Sequence, residues 1–306
     1  MKMSNSGIRL VKNNDIDRTK WDECIARSTN QLIYAQTAYL DIIAPGWNGL
    51  VYGNYKYIMP LIVRRRLGMD FLLQPIFAQQ HGVFPEAASS IQNKFLTTIR
   101  DRFNYISIHL NASHGSPFPE GFQVSQRTNL ILNLSLPAQV LKENFSKHCR
   151  RQIRKAEDHQ VSVIKSLKSK EYLDLKNQVT EPKLSKASMK TLEQLIEYGI
   201  NSGKGIIYAA YNSENILCSA AFFLFTGKRV IYLNAASTND GKANSSMYRI
   251  VSQFILEHAE SDLILDFEGS SIPGIARFYS GFGAKPELYY GLKLNRLPLP
   301  VRWLKK

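Results

Sequence analysis

Short apolar runs rich in β-branched and aromatic residues, each bounded by turn formers, recur in two groups along the chain. The first group covers residues 49–55, 58–63 and 71–77, with Gly68 at a turn. The second covers 205–211, 216–225 and 230–235, with turns at 212–215 and at Gly227. Runs of this length and composition predict strands, and three in succession predict an antiparallel meander. A helical stripe follows each group. Ile91, Phe95, Ile99 and Phe103 step by four residues through 89–102, and Met247, Ile250, Val251, Phe254 and Ile255 share one face of 245–260. Each helix leads into a further apolar strand, 105–110 in one half and 263–267 in the other. The opening strands share letters as well as order: Gly49-Leu50-Val51-Tyr52-Gly53-Asn54-Tyr55 and Gly205-Ile206-Ile207-Tyr208-Ala209-Ala210-Tyr211 both fit G-[LI]-[VI]-Y-x-x-Y. The chain therefore reads as a duplicated β-β-β-α-β unit, an α/β (α+β) architecture of mixed, mostly antiparallel sheets flanked by helices.

Between the copies the pattern turns helical. Pro137 suits a helix start, and a helix is expected over 138–158, followed by helices near 170–178 and 188–201, the last closed by Gly203. No low-complexity stretch interrupts the chain, and the expected division is one unit over 1–136 and a second, with its basic helical lead-in, over 137–306. The length of 306 residues agrees with two domains at roughly 100–200 residues each.

Charge changes the picture more than composition does. Lys and Arg number 39 against 25 Asp and Glu, a formal net charge of +14, with 14 basic against 9 acidic residues up to Ser135 and 25 against 16 after it. The excess is spread over both halves and points to an anionic partner: nucleic acid, nucleotide phosphate or a membrane face. The longest apolar run, 216–225, is about half the ~20 residues a membrane-spanning helix needs. The first fifteen residues hold no apolar h-region, so no secretory signal is expected. Cys24, Cys149 and Cys218 are scattered and odd in number, which excludes a disulfide framework and a cysteine-based zinc site and fits a reduced, cytoplasmic setting. His81, His109, His114, His148, His159 and His258 show no metal-binding spacing, so no metal is expected.

Two segments of the second copy carry candidate chemistry. Ala276-Arg277-Phe278-Tyr279-Ser280-Gly281-Phe282-Gly283-Ala284 follows a helix start at Pro273, and 238–246, Thr-Asn-Asp-Gly-Lys-Ala-Asn-Ser-Ser, lies between a strand and a helix. The first segment resembles the fourth-helix signature of the GNAT superfamily of N-acyltransferases. The second sits where that superfamily places its phosphate-cradling [QR]-x-x-G-x-[GA] loop. Gly241-x-Ala243 is kept, with Thr238 in place of Gln or Arg and Ser245 where a further glycine is common. Free amides at a helix start, aided by the helix dipole, bind pyrophosphate. The resemblance thus makes Thr238, Gly241, Lys242, Ala243, Ser245 and Ser246 candidate donor-binding residues; the alternative is an ordinary turn before a helix. Two units joined by Arg150-Arg151-Gln152-Ile153-Arg154-Lys155-Ala156-Glu157, together with Leu265-Asp266-Phe267-Glu268-Gly269, are similar to the FemABX-like branch, in which several members use aminoacyl-tRNA to extend peptidoglycan peptides.

The chemistry so implied is attack of an amine on an ester or thioester, which requires the amine to lose a proton and the leaving group to be stabilised. By resemblance Tyr279 is the general acid; the alternative is a ring packed beside Phe278. Asp266 and Glu268 alternate along one strand and so share a face, toward a cleft where that strand splays from its neighbour, as general base or amine anchor; the alternative is a carboxylate paired with Arg277. Arg150 with Arg154 and Arg151 with Lys155 stack like charges at i, i+4, an arrangement that favours a phosphate counter-charge, here assigned to Arg151, Arg154 and Lys155; a solvated helix face is the alternative. Arg64-Arg65-Arg66 reads as a charged strand end. Gln80 and His81, in a polar loop, line the acceptor cleft by resemblance and are otherwise merely exposed. The basic, Trp-containing tail 297–306 offers peripheral contact with an anionic bilayer or is an ordinary terminus.

The expected function is transfer of an acyl or aminoacyl group from acyl-CoA or aminoacyl-tRNA to an amine acceptor, a cell-wall or peptide precursor being the kind the resemblance implies. The carrier is a co-substrate, and no tightly bound cofactor is expected. The rival class is a non-catalytic basic module that binds nucleic acid or an anionic surface.

Overall fold

The computed structural model of the protein describes residues 7–66, 68–165, 167–179, 184–269 and 272–298. The chain forms two compact units, one containing residues up to Arg127 and those from Leu288 onward, the other Thr128–Glu287. In the first unit β1 (Ile8–Val11) is followed by α1 (Arg18–Ala26), α2 (Thr37–Ile43), β2 (Asn48–Tyr52), β3 (Tyr57–Leu61), β4 (Val63–Arg66), β5 (Met69–Leu73), α3 (Ser89–Arg102) and β6 (Tyr105–His109). β1, β2 and β3 make an antiparallel three-stranded sheet. The expected single meander is thus divided. Residues 58–63 break near Ile62 into β3 and β4, and β4 pairs with β5 in a different sheet, where β5 lies parallel to β6. The charged run explains the break: Arg64, Arg65 and Arg66 are exposed, and β4 places them on an outer edge strand, where charge is tolerated. Phe95, Leu96 and Ile99 of α3 meet Leu50, Met59, Leu72 and Ile106 in the core.

β7 (Gln123–Asn133) leads into the second unit, which continues with α4 (Ala138–Glu143), α5 (Lys147–Asp158), β8 (Ser162–Lys165), α6 (Ser169–Gln178) and α7 (Lys186–Asn201). After these come β9 (Gly205–Tyr211), β10 (Leu217–Thr226), β11 (Arg229–Ser237), α8 (Asn239–Ala243), α9 (Ser246–Glu257), β12 (Ile264–Asp266), α10 (Pro273–Gly281) and β13 (Lys285–Asn295). The expected helix over 138–158 is two. Residues 144–146 interrupt it because Ser146 turns outward to cap α5, its hydroxyl accepting from the amide of Cys149 at 3.1 Å. The sheet of this unit runs β7-β12-β11-β10-β9-β8, antiparallel except for β11 with β12. α9 buries Ile250, Val251, Phe254 and Ile255 against it, and Phe254 stacks on Phe223 at 3.8 Å between ring centroids.

The last strand ends back in the first unit, where Gly291–Asn295 of β13 pairs antiparallel with β6 and Leu292 and Leu294 join that core. The division therefore falls inside β7, ahead of the expected boundary at residue 136, and the strand after Glu287 goes to the first unit because its apolar face completes that core.

Candidate active site

Beyond Ile231 and Asp266 the parallel strands β11 and β12 part, because each follows a different neighbour. β11 stays with β10 as far as Ser237, whereas the chain after Asp266 stays with β7, the amide of Phe267 donating to the carbonyl of Leu130 at 2.9 Å. Among the described residues, β11 from Tyr232 to Ser237 therefore has a strand on one side only. Within that stretch Tyr232 faces Phe223 and Asn234 faces Phe222, which leaves Leu233 as the extra residue of a β-bulge. A bulge takes backbone groups out of the ladder and re-aims them.

Aromatic rings gather at the parting. Tyr279 of α10 stacks on Phe267 at 4.6 Å and meets Tyr232 edge-on at 5.9 Å. It is nearly buried, and burial, then the Glu268 carboxylate, push its phenol above the ordinary tyrosine range. Such a phenol stays protonated and serves as a hydrogen-bond donor. The alternative reading of Tyr279, a packed ring, describes this geometry, although its ring partners are Phe267 and Tyr232 as well as Phe278.

The two carboxylates do not share a strand face. β12 ends at Asp266, and Glu268 lies beyond it with a left-handed backbone, φ 57°. Asp266 is 1% exposed and fully engaged. It pairs with Arg229 at 2.6 Å and accepts from Asn129 Nδ2 at 3.0 Å and from the amide of Glu268 at 2.8 Å. Arg229 also pairs with Glu287 at 3.0 Å. Burial pulls the Arg229 pKa down, but Asp266 and Glu287 outweigh it and raise it on balance. The carboxylate partner expected in Arg277 is instead Arg229, and Arg277 is exposed. Glu268, half-buried and close enough to shift Tyr279, is the carboxylate at the parting.

The segment 238–246 is not an open loop. Thr238 caps α8, its hydroxyl accepting from the amide of Gly241 at 3.0 Å and its carbonyl from that of Lys242. The amide of Asn244 donates to Asp240, and that of Ser246 donates to the Asn244 side chain. Gly241 lies so close to β10 that a Cβ there would collide with the carbonyl of Cys218. Its small size serves helix–strand packing. Ser245 adopts a left-handed backbone and donates to Gln152 of α5 at 2.6 Å, and the hydroxyls of Ser246 and Ser219 are 2.6 Å apart. Lys242 and Ala243 are exposed.

α5 presents Arg150, Arg151, Arg154 and Lys155 to solvent. Arg150 donates to the carbonyl of Glu143, and Arg151 lies 3.3 Å from His148 Nδ1. Arg154 and Lys155 form no ion pair among the described residues.

Gln80 and His81 belong to the first unit, and both are 2% exposed rather than lining an open loop. The amide of His81 donates to the carbonyl of His109, and its Nε2 lies 3.2 Å from the carbonyl of Tyr34; Gln80 accepts from the amide of Ala112 at 3.0 Å. Burial drives His81 down to about 4. They close the gap between β5 and β6. Those strands pair as far as Leu73 and Ser107, and a bridge re-forms at His81 and Leu110. Gln74 spans the interval, accepting from the amide of His109 and donating to the carbonyl of Ala78. The tail 299–306, with its Trp303, lies outside the described residues. No helix among the described residues is long and apolar enough to cross a membrane, and no group of His, Cys, Asp or Glu among them is arranged to hold a metal ion.

Sequence reasoning missed Arg229, Asn129, Tyr172, Lys176 and Asn234. Arg229 and Asn234 lie on a predicted strand, but the one-sided stretch of β11 depends on which neighbour each strand keeps, and a linear pattern does not record that.

No family model matches the chain, and no curated protein matches it in sequence. Solved structures do. The crystal structure of FemX matches 95% of this chain and 98% of its own, with a TM-score of 0.62 at 12% identity. A tandem GNAT protein from the clavulanic acid biosynthesis pathway matches 95% of this chain and 99% of its own, with a TM-score of 0.52 at 13% identity. The C-terminal domain of a putative lysylphosphatidylglycerol synthetase from Agrobacterium fabrum matches 94% and 93%, with a TM-score of 0.53 at 9% identity. At these identities the likeness concerns the fold, and it extends over nearly the whole chain: this protein has the FemABX-like tandem GNAT fold.

Proposed function

We propose that the second unit transfers an aminoacyl or acyl group from an activated carrier to an amine, with the carrier's carbonyl against the one-sided stretch of β11. The observation that carries this reading is the parting of β11 and β12 beyond Ile231 and Asp266, with the bulge at Leu233 inside it. Backbone amides freed there are suited to a carbonyl oxygen that gains charge as the amine attacks. The new N–C bond forms as the C–O or C–S bond breaks. In this reading Glu268 takes the proton from the amine, and Tyr279 donates a hydrogen bond, then its proton, to the departing atom. Asp266 holds Arg229 and takes no part in proton transfer.

The donor chemistry fits in part. The amides of Gly241, Lys242, Asn244 and Ser246, which a pyrophosphate would need, are already bonded within the segment. The exposed Arg151, Arg154 and Lys155 suit a carrier with many phosphates. Aminoacyl-tRNA is therefore favoured over acyl-CoA, and the likeness to a lysylphosphatidylglycerol synthetase domain supports an aminoacyl group as the cargo.

The test offers purified protein labelled aminoacyl-tRNA or acetyl-CoA with a set of amines that includes a cell-wall peptide precursor. Label is expected to pass from tRNA to an amine, and Tyr279→Phe to slow the transfer on the order of 10²-fold. Tight tRNA binding with no transfer from either carrier would overturn this reading in favour of a non-catalytic, anion-binding protein.

A further inference from the structure

α6 reaches the one-sided stretch of β11 with two side chains from one helix face. Tyr172, fully buried, donates its hydroxyl to Asn234 Oδ1 at 2.8 Å, and one turn later Lys176 donates from Nζ to the carbonyl of Ala235 at 2.9 Å. Lys176 is half-buried, and no carboxylate among the described residues lies within ion-pair distance of it. One of its three protons is used by Ala235, which leaves two. With Oδ1 of Asn234 taken by Tyr172, its Nδ2 remains as a second donor, on the residue next to the one whose carbonyl holds Lys176. Burial lowers the Lys176 pKa, the cost of holding a cation where no counter-charge faces it.

We propose that Lys176 and Asn234 Nδ2 form an anion subsite for the acceptor, one that takes a carboxylate or phosphate carried close to the reacting amine. The proposal rests on the reading of the β11 parting as the transfer site. The bulge at Leu233 sets Tyr232 and Asn234 against adjacent residues of β10, so their side chains leave β11 on opposite faces. Both faces meet at the strand's unpaired edge. Tyr232 lies close enough to Tyr279 and to Tyr172 for each of those phenols to raise its pKa, and Tyr172 is the partner of Asn234. Two residues along a strand span at most ~7 Å. On this proposal the amine beside Tyr279 and the anion at Lys176 are carried by one acceptor lying along the unpaired edge of β11 from Tyr232 to Ala235.

Limiting acetic anhydride, with mass-spectrometric readout at each lysine, tests the subsite in the whole protein. Lys176 is expected to be acetylated severalfold more slowly in the presence of inorganic phosphate or acetate, while exposed Lys170 is unaffected. Protection by phosphate alone assigns a phosphorylated acceptor, and protection by acetate alone a carboxylated one. Asn234→Leu is expected to weaken protection, and labelling of Lys176 that ignores both anions overturns the proposal. A second measurement compares transfer to β-alanine and to propylamine. Wild type is expected to favour β-alanine or its phosphonate counterpart, a preference that collapses in Lys176→Met and returns in Lys176→Arg. Protection without transfer to any amine would sink the transfer reading and leave the subsite standing. Transfer without preference or protection would do the reverse.

Discussion

Arg229 and Glu268 both belong to the second unit but differ in what their removal should do. Arg229 neutralises a carboxylate that is 1% exposed, so Arg229→Met leaves Asp266 charged and unpaired in the interior. The expected loss is about 3–5 kcal/mol, read as a fall in the urea midpoint. Glu268 is half-buried at the parting, so Glu268→Gln is expected to leave the midpoint almost unchanged and to abolish transfer. Equal loss of stability in both variants would remove the distinction between them. Gly241 shows what one residue can hide. Its place before a helix fits a phosphate cradle in sequence, yet its hydrogen is needed where α8 meets the Cys218 carbonyl. Gly241→Ala is accordingly expected to destabilise the protein whether or not any donor is present, a shift that thermal unfolding without ligand would reveal.

Elements with strong periodicity were legible. The stripes of α3 and α9, the span of β9 and the start of α10 at Pro273 follow directly from spacing and composition. Breaks and partnerships were harder. Asn144-Phe145-Ser146 holds capping residues inside a helical pattern, and only the turn outward of Ser146 decides that α5 starts there. If α5 binds nucleic acid phosphates, Arg151→Glu with Arg154→Glu is expected to weaken tRNA binding and to reduce the slope of log affinity against log salt by about 1 for each phosphate no longer neutralised. An unchanged slope would mean that α5 is only a solvated face.

Taken as a whole, the chain repeats one plan and treats its two copies differently. In the second unit the parallel strands part after Ile231 and Asp266, and no bridge re-forms between them among the described residues. In the first, the equivalent parallel pair is bridged by Gln74 and re-joined at His81, a closure made with buried polar side chains. The repeat was visible in sequence, but this difference was not, because a histidine in a polar segment looks exposed until its neighbours are placed. Closure by histidine makes the first unit sensitive to acid. Burial lowers His81 to about 4 and His114, whose Nε2 accepts from the amide of Val83, to about 3. Between pH 6.5 and those values the unfolded chain binds protons that the folded unit refuses. Unfolding then takes up protons, and stability falls as pH falls, with the full loss reached only below about pH 3. That loss is about 3 kcal/mol for His81 and about 5 kcal/mol for His114. Trp21 and Trp47 are both buried in the first unit, so tryptophan emission in a Trp303→Phe background reports on that unit alone. Its denaturant midpoint should fall steadily from pH 6.5 to pH 4, and His81→Gln should flatten the fall. A midpoint that stays level over this range would mean that the histidines are not held neutral and that the closure of the first unit rests on its apolar core.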